Sequence, residues 1–309
     1  MMINKPKFWD KKIGLVSIFL LPVSLIFIFL IFLKKKLSKS RSFKIPVICV
    51  GNIYIGGTGK TPIAIFLAEE LSKYGKKTAL LRKYYKNHID EYNLIKSRIS
   101  DLITCEDRVI GLKKAQDLNY DVAILDDGFQ DYKINKNLSI ICFNQNQLIG
   151  NGLVLPSGPL RENLSSLKNA DIVIINGNED KSFEDKIRKI NSKIEFFYSS
   201  YKPQNIEKIK NKRLYAIAAI GNPENFFNLL KKNNFNIEKK LIYPDHYNFS
   251  KKQIINIIKE AKNNNCQVIM TEKDYFKINK YEITGIDFLK VSLEIKGYNK
   301  LLDKIKKFL

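Results

Sequence analysis

At 309 residues, with 45% hydrophobic side chains, the chain is long enough to bury one large core or two smaller ones, which excludes a largely disordered protein. Its 53 basic residues outnumber 31 acidic ones, for a net charge of +22, so an anionic partner is expected: acidic lipid headgroups or a phosphorylated substrate. Nucleic acid is not expected, because lysine is spread along the whole chain and neither a nucleic-acid-binding module nor zinc-ligand spacing occurs.

The first predicted element is residues 13–33, which carry no charge and are interrupted only by Gly14, Ser17, Pro22 and Ser24. As one helix this stretch would be roughly 30 Å long, about the hydrocarbon thickness of a bilayer. Lys34, Lys35 and Lys36 follow where a signal peptide would carry its cleavage site, and a buried core helix would not be apolar on every face. An N-terminal membrane helix, spanning or deeply embedded, is therefore expected. Lys5, Lys7, Lys11 and Lys12 flank its near end. Lys34, Lys35, Lys36, Lys39, Arg41 and Lys44 make a larger basic excess beyond it. That bias predicts an inner-membrane protein with its body in the cytoplasm and attraction to anionic inner-membrane lipid.

Next come an apolar strand (45–50), a glycine-rich turn and a helix (62–74). The turn reads Gly51-Asn52-Ile53-Tyr54-Ile55-Gly56-Gly57-Thr58-Gly59-Lys60-Thr61. Strand, turn and helix in this order suit a nucleoside triphosphate, since backbone N–H groups and the helix N-terminus face the phosphates. Tyr54, Ile55, Gly56, Gly57, Thr58, Gly59, Lys60 and Thr61 are the expected nucleotide-binding residues. Lys60 reaches the outer phosphates, and the Thr61 hydroxyl joins the shell of a magnesium ion. The usual phosphate-loop pattern has glycine five positions before Gly59, and here that position is Tyr54.

Further strands are predicted at 78–81, 122–125, 139–143, 172–175, 214–220, 268–271 and 288–291, and helices at 107–117, 223–233, 250–263 and 299–308. Nearly continuous apolar strands alternating with helices predict an α/β protein whose parallel sheet has helices on both faces. The strand 122–125 ends in Asp126 and Asp127. By itself an Asp-Asp-Gly sequence is as often only a turn; beside the upstream loop it becomes a magnesium-binding pair. The run Pro156-Ser157-Gly158-Pro159-Leu160-Arg161-Glu162 is a shaped loop presenting Arg161 and Glu162. Arg161 suits either a forked contact to phosphate or a structural ion pair. A boundary is expected in the lysine-rich stretch 181–212. The predicted division is a membrane helix with basic flank (1–40), a P-loop NTPase-like nucleotide-binding core (41–200) and a smaller C-terminal α/β subdomain (201–309). Cys49, Cys105, Cys142 and Cys266 form no paired motif and read as reduced thiols.

Taken in order, these pieces resemble the tetraacyldisaccharide 4′-kinase family of lipid A biosynthesis. The resemblance rests on the apolar N-terminal helix, V-G-N-I-Y-I-G-G-T-G-K-T-P from Val50 to Pro62, Asp90-Glu91, and L-D-D-G-F-Q from Leu125 to Gln130. It continues with G-N-G-L-V-L-P-S-G-P-L-R-E from Gly150 to Glu162, Asp245-His246, and M-T-E-K-D from Met270 to Asp274. It implies phosphoryl transfer from ATP, with Mg2+, to the 4′-hydroxyl of a tetraacylated glucosamine disaccharide 1-phosphate, a lipid A precursor, giving lipid IVA. It also implies that Asp90 is the catalytic base, that His246 orients it and tunes its pKa, and that Glu91, Arg161 and Glu162 face the substrate. No obligate protein partner is implied.

The chain departs from the family pattern on the substrate side. Leu81-Arg82-Lys83-Tyr84-Tyr85 stands where the family usually has Ser-Arg-Gly-Tyr-Gly, Tyr92 follows Asp90-Glu91 in place of proline, and Asp131 replaces a histidine. Two other functions compete: a membrane-anchored P-loop NTPase coupling hydrolysis to transport or assembly, and a nucleotide- or lipid-binding protein without turnover. A GTP-binding switch is disfavoured, because Thr271-Glu272-Lys273-Asp274 has the wrong order for reading guanine.

Overall fold

The computed structural model describes residues 6–245 and 247–309, the side chains of Asn87, Asp90 and Lys208 lying outside that description. The chain divides into two compact units. The larger comprises the described residues up to Tyr84, with Asp101–Ser200 and Ile295–Leu309; the smaller is built from Tyr85–Ser100 and Tyr201–Glu294.

The larger unit begins with two short helices, α1 (Leu15–Phe19) and α2 (Leu21–Leu37), rather than the single helix expected over 13–33. They meet at Leu20 because Pro22 has no N–H to give the Ile18 carbonyl, and its ring crowds that carbonyl. Among the described residues no helix is long and apolar enough to cross a membrane. The stretch expected to form one membrane helix, spanning or deeply embedded, forms this broken pair instead.

After α2 the chain enters β1 (Val47–Gly51), then α3 (Lys60–Lys73) and β2 (Thr78–Lys83). Then α4 (Ile89–Lys96) belongs to the smaller unit, and the larger resumes with β3 (Leu102–Cys105), α5 (Arg108–Asp117), β4 (Val122–Asp126) and β5 (Leu138–Asn144). It continues through β6 (Ile172–Asn176), α6 (Lys181–Arg188) and β7 (Glu195–Pro203). The smaller unit adds β8 (Arg213–Ala218), α7 (Pro223–Lys232), β9 (Asn236–Ile242), α8 (Lys251–Asn263), β10 (Cys266–Thr271), α9 (Glu272–Ile278) and β11 (Ile286–Leu289). The chain ends with β12 (Val291–Lys296) and α10 (Tyr298–Lys306).

The first sheet is ordered β12-β7-β6-β5-β1-β4-β2-β3, with parallel pairing from β7 through β3. Every residue of β1, β4 and β5 is buried, as expected of central strands covered on both faces. Helix connections leave β1 toward β2 on one side and β4 feeds β5 on the other. The carboxyl end of β1 is thus where the order reverses, the usual place for a ligand crevice. Register fixes what meets there: Val50 pairs with Asp126 across β1 and β4, and Arg82 pairs with Asp126 across β2 and β4. Gly51 is required at this point, since a Cβ there would lie 2.5 Å from Phe129 Cβ. The smaller unit has its own parallel sheet, β11-β10-β8-β9, with a core on each face.

Candidate active site

In the larger unit the turn after β1 is stitched to the loop 150–162. Ile55 N donates to Pro159 O at 2.9 Å, Arg161 N donates to Ile53 O at 2.7 Å, and Tyr54 forms an antiparallel bridge with Leu160. Asn52 braces the turn from inside: its side-chain amide donates to Tyr54 O at 2.5 Å and to Thr58 Oγ1 at 3.0 Å. Gln130 Nε2 in turn donates to Asn52 O at 2.9 Å. The turn closes at Gly59, whose φ of 89° lies in the left-handed region that favours glycine, and α3 starts at Lys60. Pro62 falls in the first helical turn, where its missing N–H forfeits no helical bond. Gly56 and Gly57 are exposed and Ile55 half-exposed, whereas Thr58 is buried against Asn52. Tyr54 is wholly buried, so what its side chain offers the turn is support.

The Asp-Asp-Gly sequence after β4 comes directly to this turn. Thr61 Oγ1 donates to Asp126 Oδ2 at 3.0 Å. The Arg82 guanidinium binds the same Asp126 oxygen and donates to Thr61 Oγ1 at 2.9 Å. Asp126 is fully buried, and its other oxygen, Oδ1, has no hydrogen-bond partner among the described residues. Asp127 sits with φ of 60°, held by its amide on Val50 O and by Arg108 Nη2 on its carbonyl at 2.8 Å. That backbone turns its carboxylate toward Lys60 Nζ, 3.6 Å away, and Arg161 Nη1, 2.8 Å away. Asp131, the residue in place of the family histidine, lies 3.6 Å from Arg108 Nη1.

The electrostatics follow from this packing. Burial alone raises the Asp127 pKa, but the Lys60 and Arg161 charges outweigh it and hold the carboxyl at about 2. Lys60 is pulled the other way: burial lowers its pKa, and Asp127 only partly restores it. The ion pairs of Asp127 are complete above the ordinary carboxylate value and fade as pH falls through about 2. A carbon-detected NMR titration of the Asp127 carboxyl should be flat from neutral pH to about pH 4. A midpoint at the ordinary value would mean that these pairs do not form in solution.

Glu162 is buried, and its carboxylate, after burial itself, pushes the Tyr132 phenol up. In the smaller unit Glu91, on α4, receives Lys273 Nζ at 2.8 Å and faces His88 Nδ1 at 3.4 Å. The same Lys273 reaches Asp245 Oδ1 at 3.3 Å, which gathers Glu91, Asp245 and the T-E-K-D sequence around one ammonium. Thr271 caps α9 by accepting from Asp274 N at 3.1 Å. Glu272 pairs with Arg98 at 2.9 Å, and buried Asp274 accepts from Ala219 N at 2.8 Å. Asp90 occupies the first turn of α4, its side chain outside the described residues, as is the whole of His246. The residues that sequence reading passed over are Asn52, Arg82, Arg108, Gln130 and Lys273. Asn52, Gln130 and Lys273 stand inside motifs already singled out. Arg82 stands in the Leu81–Tyr85 stretch already noted, but its contact with Asp126 shows only once strand register is known, and that of Arg108 only once α5 is placed against β4.

The geometry is matched by what the chain resembles. A family model described as tetraacyldisaccharide-1-P 4′-kinase (LpxK) matches residues 16–309. A tetraacyldisaccharide 4′-kinase of Pelagibacter ubique is 42% identical over 311 residues, covering 99% of this chain and 98% of that protein. One from Rickettsia bellii is 33% identical, covering 98% of each. The solved LpxK of Aquifex aeolicus, crystallised with ATP, superposes with a TM-score of 0.73 at 22% identity, over 95% of this chain and 99% of that one. This last similarity establishes the shared fold.

Proposed function

Because this chain belongs to the tetraacyldisaccharide-1-phosphate 4′-kinase family, we propose that it transfers the γ-phosphoryl group of ATP to the 4′-hydroxyl of a tetraacyl glucosamine disaccharide 1-phosphate, giving lipid IVA in lipid A biosynthesis. The observation that carries the reading is the 3.0 Å contact of Thr61 with Asp126, which joins the phosphate turn to the β4 carboxylates. Family membership favours this kinase over a transport-coupled NTPase and over a binding protein without turnover.

In this reading the 4′-oxygen attacks the γ-phosphorus, the bond to the β,γ-bridging oxygen breaks, and ADP leaves. The protein's contribution is positioning and charge. The N–H groups of residues 56–61 surround the triphosphate, the Ile55 N–H being spent on Pro159 O, and Lys60 neutralises charge on the outer phosphates. The donor set at Thr61 and Asp126 fits a magnesium ion: one hydroxyl, and one buried carboxylate oxygen, Oδ1, without a partner among the described residues. Such a site supplies few protein ligands because phosphate oxygens and waters complete the shell. Thr61, Asp126 and Asp127 would hold the ion, and when bound it neutralises charge on the phosphates. Asp90 takes the hydroxyl proton, His246 orients Asp90, and Glu91, Arg161 and Glu162 shape the substrate side. The kinase core is residues 41–200 apart from Tyr85–Ser100, which belong with the C-terminal subdomain, and the subdomain is 201–309 apart from Ile295–Leu309, which belong with the core.

The membrane association also belongs to this proposal. Ser17 and Ser24 face inward, Ser24 Oγ donating to Val154 O at 3.0 Å, while Leu15 and Phe19 are 86% and 85% exposed. Helices that bury serine and expose leucine and phenylalanine suit a lipid surface. Lys34, Lys35 and Lys36 in the last turn of α2 suit anionic headgroups. The body then lies on the cytoplasmic side of the inner membrane, where ATP is available, and no obligate protein partner is required.

Label transfer from γ-labelled ATP into lipid tests the assignment. An Asp90→Asn variant should keep ATP binding and lose about 10²–10⁴-fold in transfer, the usual contribution of a general base. Unchanged transfer would remove Asp90 from the mechanism.

A further inference from the structure

Tyr54 is the residue at which this phosphate turn departs from the usual glycine, and its side chain is among the largest that are fully buried. Its ring joins the core formed by Ile53, Phe129, Val154 and Leu160. Beyond that core, the hydroxyl donates to Asp10 Oδ1 at 3.0 Å. Burial and then the Asp10 charge push the phenol's pKa up, so the proton stays on the tyrosine oxygen.

Asp10 ends a short turn, Lys7–Asp10, that precedes α1. This turn is pinned to the loop 150–162. The buried Trp9 donates from Nε1 to Pro156 O at 2.9 Å, and its carbonyl accepts from Asn151 N at 2.7 Å. Ser24, on α2, adds an acceptor for Ser157 N at 3.0 Å. The loop held in this way carries Arg161, whose guanidinium lies on Asp127. The N-terminal segment and the phosphate turn thus share two connections, one through Tyr54 directly and one through the loop.

We propose that Tyr54 and Asp10 are positioning residues for nucleotide binding: their hydrogen bond ties the phosphate turn to the N-terminal segment and sets the turn's affinity for a triphosphate. The proposal rests on the reading of residues 54–61 as the triphosphate site. A tyrosine at this place exchanges the freedom of glycine for a fixed anchor. The turn's backbone conformation is then held by Asn52 inside and by Asp10 behind. Neither group touches the phosphates, so the effect falls on binding more than on transfer.

The test uses the full chain in detergent, with a non-hydrolysable ATP analogue titrated by calorimetry and with steady-state kinetics. Tyr54→Phe and Asp10→Ala should each weaken the analogue and raise KM for ATP about 5- to 10-fold, within the usual range for losing an ordinary hydrogen bond. Their effect on kcat and on KM for the lipid acceptor should be smaller. The double variant should bind no worse than either single one, because both remove the same contact. Asp10→Asn, which keeps an acceptor oxygen, should restore affinity. Asp10 is exposed, so its variants are expected to fold even if Tyr54→Phe does not. Unchanged analogue affinity in Asp10→Ala, or losses that add in the double variant, would overturn the proposal. So would an equal rise in KM for both substrates. If the wild-type chain binds the analogue but phosphorylates no lipid, the proposed function fails while this inference is still decided by the analogue titration.

Discussion

Replacing Lys60 by glutamine is expected to lower phosphoryl transfer by about 10²–10³-fold, the usual cost of losing one preorganised charge-stabilising group. Lys60 is the cation at the N-terminus of α3, with its side chain only 12% exposed, so its charge acts where water screens little. The fold should survive the change. Burial disfavours the Lys60 charge more than Asp127 favours it, since its pKa is lowered overall. Removing that charge therefore relieves a cost, and Asp127 keeps Arg161 at 2.8 Å. Thermal unfolding should show a midpoint equal to or above that of the unaltered chain. A loss of transfer below about tenfold would take Lys60 out of the phosphate site.

Asp126→Asn is expected to damage both activity and stability. Asp126 is fully buried and bound to Arg82, whose side chain is itself 10% exposed. Removing one partner of such a buried pair costs about 3–5 kcal/mol. The carboxylate also anchors Thr61, so transfer should fall by at least about 10²-fold and its dependence on magnesium should weaken. Urea unfolding and a magnesium titration of the rate separate the two effects. The contrast between the variants is informative: Lys60→Gln is a functional loss alone, whereas Asp126→Asn is a functional and structural one. A stable Asp126→Asn protein with ordinary magnesium dependence would show that β4 does not serve the site.

Much of this arrangement is legible in the amino-acid order, for identifiable reasons. β1, the turn and α3 stand out because an apolar run, glycines and a helical pattern follow one another without interruption. Asp126 and Asp127 stand out because they end a buried strand. Edges shift by a few residues: the strand expected at 45–50 is Val47–Gly51, since Pro46 has no N–H for a sheet ladder. β9 was not legible, because Asn236–Ile242 is an edge strand rich in exposed lysine with no apolar alternation. β7 mixes half-buried and exposed residues along nine positions, and α6 is only eight residues long. The break at Leu20 was signalled by Pro22, but the uninterrupted absence of charge outweighed it.

In the site, the gap between sequence and structure is one of distance along the chain. Arg82 reaches Asp126 only because β2 and β4 are neighbours in register. Arg108 reaches the Asp127 carbonyl from the start of α5. Neither contact has a local pattern. Lys273 is a similar case in the smaller unit, where it joins Glu91, 182 residues away along the chain, to Asp245, 28 residues away.

The most direct test is a crystal structure of the full chain with a non-hydrolysable ATP analogue and manganese in place of magnesium, the metal located by its anomalous scattering. The β- and γ-phosphates are expected over residues 56–61, with the metal peak beside Thr61 Oγ1 and the Asp126 carboxylate. A nucleotide bound elsewhere on the larger unit, or a metal peak remote from Asp126 and Asp127, would contradict that placement.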